Sequence, residues 1–286
     1  MRGHARHRAE LARLRCWGEE QGARRYKVMN NDATRLDGKI AIVTGAAQGM
    51  GAGIARRIAA AGATVIAADV QDEKGKASVE EIRGNGGKAE FVKADVAEDA
   101  DITNLIEHAI DAHGKLDIVV NNAAIVQIGL AEDTSIEQWD RLMAVNVRSI
   151  FLTTRCAVPH MRSQGGGCFV NVGSISSFIA QRGTPGYTAS KGAVLLLTKS
   201  YAVDYALDNI RFNCVCPGIT DTPLLRQHTK EDDLAKRLAR VPVGKIVTPD
   251  EVGNAAVFLC SDAASAITGT SLLVDRGYIS CAEFEP

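Results

Sequence analysis

The chain has no excess of charge of either sign and no long hydrophobic run. Its 33 basic and 34 acidic residues leave a net charge of −1, so electrostatics gives no reason to expect nucleic acid or an anionic membrane as a partner. No apolar stretch approaches the roughly twenty residues of a membrane-spanning helix. Neither a nucleic-acid nor a membrane partner is therefore expected.

Cysteine is present, but without the spacing of a metal site. Cys214 and Cys216 lie two apart in an apolar segment, where alternate strand residues share a face, and no second Cys/His pair completes a zinc site. We therefore expect buried reduced thiols and no metal. With no secretory signal in the sequence, reduced thiols favour a cytoplasmic protein.

The first 35 residues differ from the rest. Over residues 1–34, basic side chains outnumber acidic ones eight to four, without a sustained apolar stripe. Transit peptides are Arg-rich, but they are also rich in Ser and poor in acids, which this segment is not. We interpret residues 1–35 as a start-site extension or flexible tail, with Met29 as an alternative start, and residues 36–286 as one domain.

Strand-like and helix-like segments alternate from Leu36 to Ala263. This alternation predicts an α/β fold, a single-domain doubly wound parallel sheet (Rossmann fold) with helices on both faces. The predicted strands are Lys39–Val43, Thr64–Ala68, Lys88–Ala94, Ile118–Asn121, Cys168–Val172, Arg211–Cys216 and Ser271–Val274. The predicted helices are Gly51–Ala61, Glu73–Arg83, Ala100–His113, Ile136–Met161, Tyr187–Leu207 and Pro249–Cys260.

A glycine-rich segment, Thr44–Gly51, joins the first predicted strand to the first predicted helix. Glycine permits a tight turn and a close backbone approach, and a helix N-terminus favours an anion such as a pyrophosphate. The next predicted strand ends in Asp69, eighteen residues after Gly51, where a carboxylate can accept hydrogen bonds from ribose hydroxyls. The combination predicts a dinucleotide site.

Tyr187 precedes Lys191 by one helical turn. A nearby cation stabilises a phenolate, so we expect Lys191, helped by the positive ring of an oxidised nicotinamide, to lower the pKa of Tyr187 from about 10 towards neutrality. Such a phenol is suited to general acid–base catalysis. Ser174 follows the predicted strand Cys168–Val172, at the strand end where ligands bind in open α/β sheets.

With these motifs in this order, the chain resembles the short-chain dehydrogenase/reductase family from about Leu36 to Gly277. The resemblance implies a catalytic tetrad of Asn146, Ser174, Tyr187 and Lys191. The motifs and the resemblance together assign cofactor contacts to Gly45, Gln48, Gly49, Met50, Gly51, Asp69, Val70, Asp95, Val96, Asn122, Ala123, Ala124, Tyr187, Lys191, Pro217, Gly218, Ile219, Thr220 and Thr222.

Two positions depart from the family pattern. Ala124 replaces a usual Gly, which matters only if this residue needs a positive φ. Arg276 lies in Asp275–Gly277, where the family more often has Asp-Gly-Gly. The resemblance implies a homotetramer, so we expect Arg276 to alter a subunit contact without changing the chemistry.

The resemblance and the local chemistry together imply hydride transfer between a nicotinamide cofactor and an alcohol. Tyr187 would exchange the hydroxyl proton, and Ser174 would hold the substrate oxygen. Lys191 would bond the nicotinamide ribose, and Asn146 would support a water in the proton relay. Asp69 would repel a 2′-phosphate, and Gln48 and Val70 carry no charge that would attract one, so we expect NAD. Lys74 is expected to remain solvated.

The substrate is less determined. Bacterial sugar, polyol and cyclic-alcohol dehydrogenases resemble the chain most, and the segment 220–243 is expected to form a substrate lid. A polar pocket is expected from Gln127, Gln181, Arg226 and His228. A 3-oxoacyl thioester reductase is the alternative enzyme, although no basic docking patch is evident. A non-catalytic dinucleotide-binding sensor or scaffold is the alternative of another class.

Overall fold

The computed structural model describes residues 31–229 and 231–281, so the predicted extension lies almost entirely outside the described residues. The described part contains one seven-stranded sheet, in the order β3-β2-β1-β4-β5-β6-β7, with every neighbouring pair parallel. The predicted doubly wound sheet is confirmed. Its strands are β1 Ile40–Thr44, β2 Thr64–Asp69, β3 Lys88–Lys93, β4 Ile118–Asn121, β5 Gly167–Val172, β6 Ile210–Pro217 and β7 Ser271–Val274.

Helices connect the strands and cover both faces of the sheet. All six predicted helical segments are present, and two further short helices occupy the predicted lid. The helices are α1 Gly49–Ala60, α2 Asp72–Gly84, α3 Asp99–His113, α4 Ile136–Met143, α5 Ser149–Ser163, α6 Pro185–Asp204, α7 Pro223–His228, α8 Glu231–Leu238 and α9 Pro249–Cys260. None of the described helices is long and apolar enough to cross a membrane.

Alternate residues of β1 enter different hydrophobic cores, as period-2 side chains in a doubly covered sheet must. Ala41 and Val43 pack in the core that includes residues of α1, α2 and α9. Ile40 and Ile42 pack in the core that includes residues of α3 and α5. The sheet is therefore buried on both faces, and its strand ends are left to bind ligands.

The predicted helix Ile136–Met161 is interrupted. A π-helical turn, Ala144–Arg148, lies between α4 and α5. Wider turns of this kind are rare and occur often at functional sites. Asn146 lies inside this turn and is buried. Hydrophobic periodicity continues through the turn, which is why the sequence indicates one uninterrupted helix.

The two departures from the family pattern have different backbone consequences. Ala124 is not among the described non-glycine residues with a positive φ, so its Cβ causes no strain. Arg276 has a φ of 54°, a conformation that costs an ordinary residue roughly 1–2 kcal/mol. Its guanidinium bonds both carboxylate oxygens of Glu251, at 2.6 and 2.8 Å. Arg276 is thus tied to the start of α9 within the chain.

Candidate active site

The glycine-rich turn allows β1, α1 and the end of β4 to pack closely. Gly45 has a φ of 66°, and a Cβ there would lie 2.8 Å from the Cα of Ala123. A Cβ on Gly51 would overlap the carbonyl oxygen of Gly45. Both positions therefore require glycine, and the first turn of α1 remains exposed to a ligand.

Two polar features of this turn fit the phosphates and ribose of a dinucleotide. Gln48, the N-cap of α1, makes no side-chain capping bond, so the first amides of the helix can receive an anion. Asn122 donates to the carbonyls of Thr44 and Gly45, at 2.9 and 3.1 Å. Its Oδ1 is one of two buried side-chain polar atoms without a hydrogen-bond partner in the described part of the chain. A ligand hydroxyl or amide would satisfy this oxygen.

Asp69 lies at the end of β2, and its carboxylate is held in place by the backbone. Its Oδ2 accepts from the Ala47 amide at 3.0 Å, and its Oδ1 accepts from the Gln71 amide at 2.9 Å. Each carboxylate oxygen keeps a further lone pair. The residue is 8% exposed, so these lone pairs can serve one bound ligand at this edge.

Lys74 is less free than the sequence indicates. It lies on the exposed side of α2, but its ammonium donates to the Oε1 atoms of Gln48 and Gln71, at 3.1 and 2.9 Å. Both glutamines line the same cavity as Asp69. Lys74 is thus exposed on α2, as expected, while its ammonium is held by two glutamines of that cavity wall.

Asp95 occupies another part of the same cavity. Its carboxylate accepts from the Ala97 amide at 2.9 Å and from the Arg141 guanidinium at 2.7 Å. Burial opposes ionisation, but the amide and the guanidinium outweigh it and hold the pKa of Asp95 below its ordinary value. A fixed carboxylate results beside the apolar Val96.

The predicted catalytic residues converge beyond the ends of β4 and β5. Lys191 is buried, its Nζ donates to the Val172 carbonyl at 2.8 Å, and it lies 5.7 Å from the centre of the Tyr187 ring. The Ser174 hydroxyl accepts from the Ser176 amide at 3.0 Å. The tyrosine, the lysine and Ser174 thus lie around one small region.

Asn146 acts on this region through α6. Its Oδ1 accepts from the Ile125 amide at 2.9 Å, and its Nδ2 donates to the Ile125 carbonyl at 2.9 Å and to Ser190 Oγ at 3.1 Å. Ser190 in turn donates to the Tyr187 carbonyl at 2.7 Å. Both amide protons of Asn146 are engaged within the chain, so its side chain fixes the helix that carries the tyrosine.

The electrostatics of Tyr187 differ from the expectation. Burial raises the pKa of this phenol, and the Ser174 hydroxyl opposes the rise only in part. Burial also lowers the pKa of Lys191 to about 8, although Cys214 and Cys216 oppose that change. In the protein alone, desolvation therefore dominates the pKa of Tyr187, and the fall that was expected from Lys191 together with an oxidised nicotinamide stays a prediction for the cofactor-bound protein.

Two adjoining cavities meet at Tyr187. The smaller, of about 280 Å³, is lined by fifteen of the predicted cofactor residues, including Asp69 and Lys191. The remaining four, Pro217, Gly218, Ile219 and Thr220, line a larger cavity of about 910 Å³ that also contains Ser174. Tyr187 lines both cavities. Asn146 lines neither, which agrees with its bonds inside the fold.

The larger cavity differs from the expected polar pocket. Gln181 lines it, but Gln127 does not, and Arg226 is paired instead with Asp221. The structure does not describe the side chain of His228, so its predicted place in the pocket stays a prediction. Four basic residues of the cavity wall were not predicted, although three of them lie close together in the predicted lid segment, a spacing that could have indicated them. These residues are Arg182, Lys236, Arg237 and Arg240.

Cys214 and Cys216 lie side by side, as their spacing indicates. Both are buried and free, with sulfur atoms 3.5 Å apart. A Cβ on Gly173 would lie within 3 Å of both sulfurs. The thiols therefore pack beneath the turn that carries Ser174.

Comparison with known proteins agrees with this geometry. A family model described as enoyl-(acyl carrier protein) reductase matches residues 45–279. The chain is 42% identical to cyclopentanol dehydrogenase of Comamonas testosteroni over 245 residues, which are 85% of this chain and 98% of the relative.

Solved structures give the same result. A gluconate 5-dehydrogenase of Burkholderia cenocepacia, in complex with NADP and tartrate, is 34% identical with a TM-score of 0.83, covering 88% of this chain and 99% of that one. A 7α-hydroxysteroid dehydrogenase complexed with NADH is 34% identical with a TM-score of 0.84, covering 87% and 97%. The chain belongs to the short-chain dehydrogenase/reductase family. It is an oxidoreductase that acts on CH–OH groups and binds a nicotinamide dinucleotide.

Proposed function

We propose that this chain is an NAD-dependent dehydrogenase that interconverts a secondary alcohol and its ketone, with a polyol, sugar or cyclic alcohol as substrate. The observation that carries the proposal is the position of Tyr187. Its phenol borders both the cavity of the predicted cofactor residues and the larger cavity that contains Ser174. The relatives named above are dehydrogenases of cyclic alcohols, a sugar acid and a steroid, which supports this substrate class.

The reaction requires a hydride acceptor and a proton acceptor. A bound nicotinamide supplies the hydride acceptor. Tyr187 takes the hydroxyl proton during oxidation and returns it to the ketone oxygen during reduction, while the Ser174 hydroxyl donates to the same oxygen. Because burial raises the pKa of Tyr187, proton removal should be favoured at alkaline pH. Lys191, which lies beside the phenol, would bond the nicotinamide ribose, and Asn146 positions the tyrosine helix through Ser190.

The cofactor preference rests on Asp69. Its carboxylate is fixed by two amides and borders the smaller cavity, where it would accept from ribose hydroxyls and repel a 2′-phosphate. NAD fits this site better than NADP, even though Lys74 lies close by.

The remaining assignments extend the same proposal. Residues 1–35 form an extension that catalysis does not need, and residues 36–286 form the dehydrogenase domain with its lid at about 220–243. The protein assembles as a homotetramer in the cytoplasm. The resemblance implies that the predicted helices Ile136–Met161 and Tyr187–Leu207 pair across subunits. Support for this comes from their exposed apolar side chains, among them Ile136 on α4, Phe151 on α5, and Leu196 and Val203 on α6.

The test is reduction of NAD, followed at 340 nm and alkaline pH, with a panel of sugars, polyols and cyclic alcohols. Tyr187→Phe should lose about 10²–10⁴-fold in turnover while keeping its melting temperature and NADH binding. The control is Tyr201→Phe, which removes a phenol from the same helix where Tyr201 packs against Phe212. Full activity in Tyr187→Phe contradicts the mechanism. NADH binding without turnover of any alcohol favours the sensor or scaffold alternative.

A further inference from the structure

The wall of the larger cavity carries an excess of positive charge. Four basic residues line it, and Asp233 is its single acidic residue among the described ones. The Nζ of Lys236 lies 3.6 Å from Oδ1 of Asp233, and both side chains are exposed. Such an exposed ion pair contributes little free energy. The positive charge of the wall therefore comes mainly from its three arginines, Arg182, Arg237 and Arg240. A concave wall of one charge raises the local concentration of ligands of opposite charge.

Arg182, Arg237 and Arg240 form no ion pair with any carboxylate among the side chains that the structure describes. Arg182 and Arg240 are exposed, and Arg240 lies over the ring of Tyr278 at 5.3 Å. Arg237 is only partly exposed. Its Nη2 donates to Gln181 Oε1 at 2.8 Å and its Nη1 to Thr229 Oγ1 at 3.4 Å. Neutral oxygens thus hold this guanidinium, and no described carboxylate pairs with its charge.

Hydrogen bonds connect Arg237 to the catalytic turn. The Gln181 amide that receives the guanidinium donates through its Nε2 to Ser176 Oγ at 2.8 Å. The amide of Ser176 donates to Ser174 Oγ. The position of the guanidinium is therefore fixed relative to the hydroxyl that is proposed to hold the reacting oxygen.

The charge does not serve the cofactor phosphates. The uncapped helix start and the glycine turn lie in the smaller cavity, and none of the three arginines lines that cavity. A guanidinium presents a planar pair of donors that matches a carboxylate. In the larger cavity, the guanidinium of Arg237 is suited to bind an anionic group at the end of the substrate away from the reacting carbon.

We infer that the substrate is a hydroxy acid, a secondary alcohol whose carboxylate is bound by Arg237 with Arg182 and Arg240 around it. This inference rests on the proposed function and narrows its substrate class. It favours acids derived from polyols or cyclic alcohols over their neutral counterparts, and it makes Arg237 a specificity-determining residue.

The test compares 4-hydroxycyclohexanecarboxylate with its neutral carboxamide as substrates for NAD reduction. The carboxylate should have a kcat/KM about ten- to a hundredfold higher, as expected for charge-assisted hydrogen bonds, and added salt should reduce the ratio. Arg237→Gln should bring the ratio close to one, and Arg237→Lys should restore part of it. The matched control, Arg226→Gln, removes the same charge from the lid outside the cavity and should keep the wild-type ratio.

A second measurement does not depend on turnover. Cyclohexanecarboxylate has no hydroxyl, and calorimetry should detect its binding to the NADH-bound wild type and to Arg226→Gln, but not to Arg237→Gln. Binding without oxidation of any alcohol would retain the anion site and reject the proposed function. Equal use of the acid and the amide by the wild type would reject the hydroxy-acid inference and leave the dehydrogenase intact. A 3-oxoacyl thioester reduced faster than either alcohol is oxidised would also overturn the inference.

Discussion

Replacement of Asp69 should change the choice between NAD and NADP. The carboxylate is fixed by the amides of Ala47 and Gln71, so it cannot turn away from a 2′-phosphate without breaking both bonds. Asp69→Ala removes the charge and the acceptors for a ribose hydroxyl. We expect the wild type to prefer NAD and the variant to lose most of that preference.

The size of the preference for NAD follows from the hydrogen bonds that the Asp69 carboxylate would make to the ribose. A hydrogen bond to a charged group contributes about 1.5–3 kcal/mol, and each 1.4 kcal/mol is a factor of ten. A phosphate in place of the 2′-hydroxyl should therefore reduce kcat/KM roughly ten- to a hundredfold. Repulsion between the two anions adds to this effect, although solvent at the ribose edge screens it.

The positive charge of Lys74 should favour NADP, in contrast to the carboxylate of Asp69. Its ammonium is held by Gln48 and Gln71 on the same edge, and exposed charge pairs contribute about 0.2–1 kcal/mol. Lys74→Gln should therefore reduce kcat/KM for NADP by a factor of about 1.4 to 5 and leave NAD unaffected. Lys76→Gln is the matched control, because Lys76 lies on the same helix and pairs with Asp72.

The assay is kcat/KM for both cofactors with one common substrate. The measured quantity is the ratio of the two kcat/KM values. A loss of folded protein lowers both values by the same factor and therefore leaves the ratio unchanged. This matters since Asp69→Ala also leaves two backbone amides without acceptors. Equal use of NAD and NADP by the wild type would refute the reasoning. An unchanged ratio in Asp69→Ala would move the cause of the preference to other residues.

Three further predictions concern the whole chain. A chain beginning at Met29 should keep its activity and melting temperature, because Leu36 is the first described residue that is fully buried; a large loss of either argues for a packed N-terminus. Light scattering should show a tetramer that Leu196→Glu with Val203→Glu dissociates, whereas a wild-type monomer contradicts assembly. Between pH 8 and 10.5, the free energy of unfolding of the wild type should rise by about 3 kcal/mol more than that of Lys191→Met. The folded lysine loses its proton at about 8 and the unfolded one at 10.5, and parallel pH curves in urea denaturation would disprove this.

The sequence predicts the fold well, because alternating apolar segments directly encode a covered parallel sheet. Strands β4 and β7 and helix α9 have the predicted bounds. The π-helical turn at Ala144–Arg148 was not predictable, since a single wider turn leaves the spacing of apolar residues almost unchanged. The hydrogen bonds of the Asn146 side chain to Ile125 and Ser190 also could not be predicted, because hydrophobic periodicity carries no information about them.

The candidate site is predictable where its residues follow a motif and unpredictable where it depends on burial or on distant segments. The glycine turn and Asp69 lie along one local stretch. The sign of the Tyr187 pKa change depends on desolvation, which spacing to Lys191 does not measure. The contact of Arg237 with Gln181 joins residues 56 apart, and only the folded chain brings them together.

The wall that the two cavities share has a consequence for how two ligands would bind. Thr222 and Leu224 line both cavities, as Tyr187 does, so the segment that carries them would contact a ligand in either cavity. A shift of this segment on binding in the smaller cavity would therefore also change the fit of a ligand in the larger one. Thermodynamic reciprocity requires that any factor by which the dinucleotide tightens the alcohol is returned equally to the dinucleotide. A shared wall thus offers a physical route by which the two binding equilibria are coupled, and any such coupling changes the affinities of both ligands by the same factor.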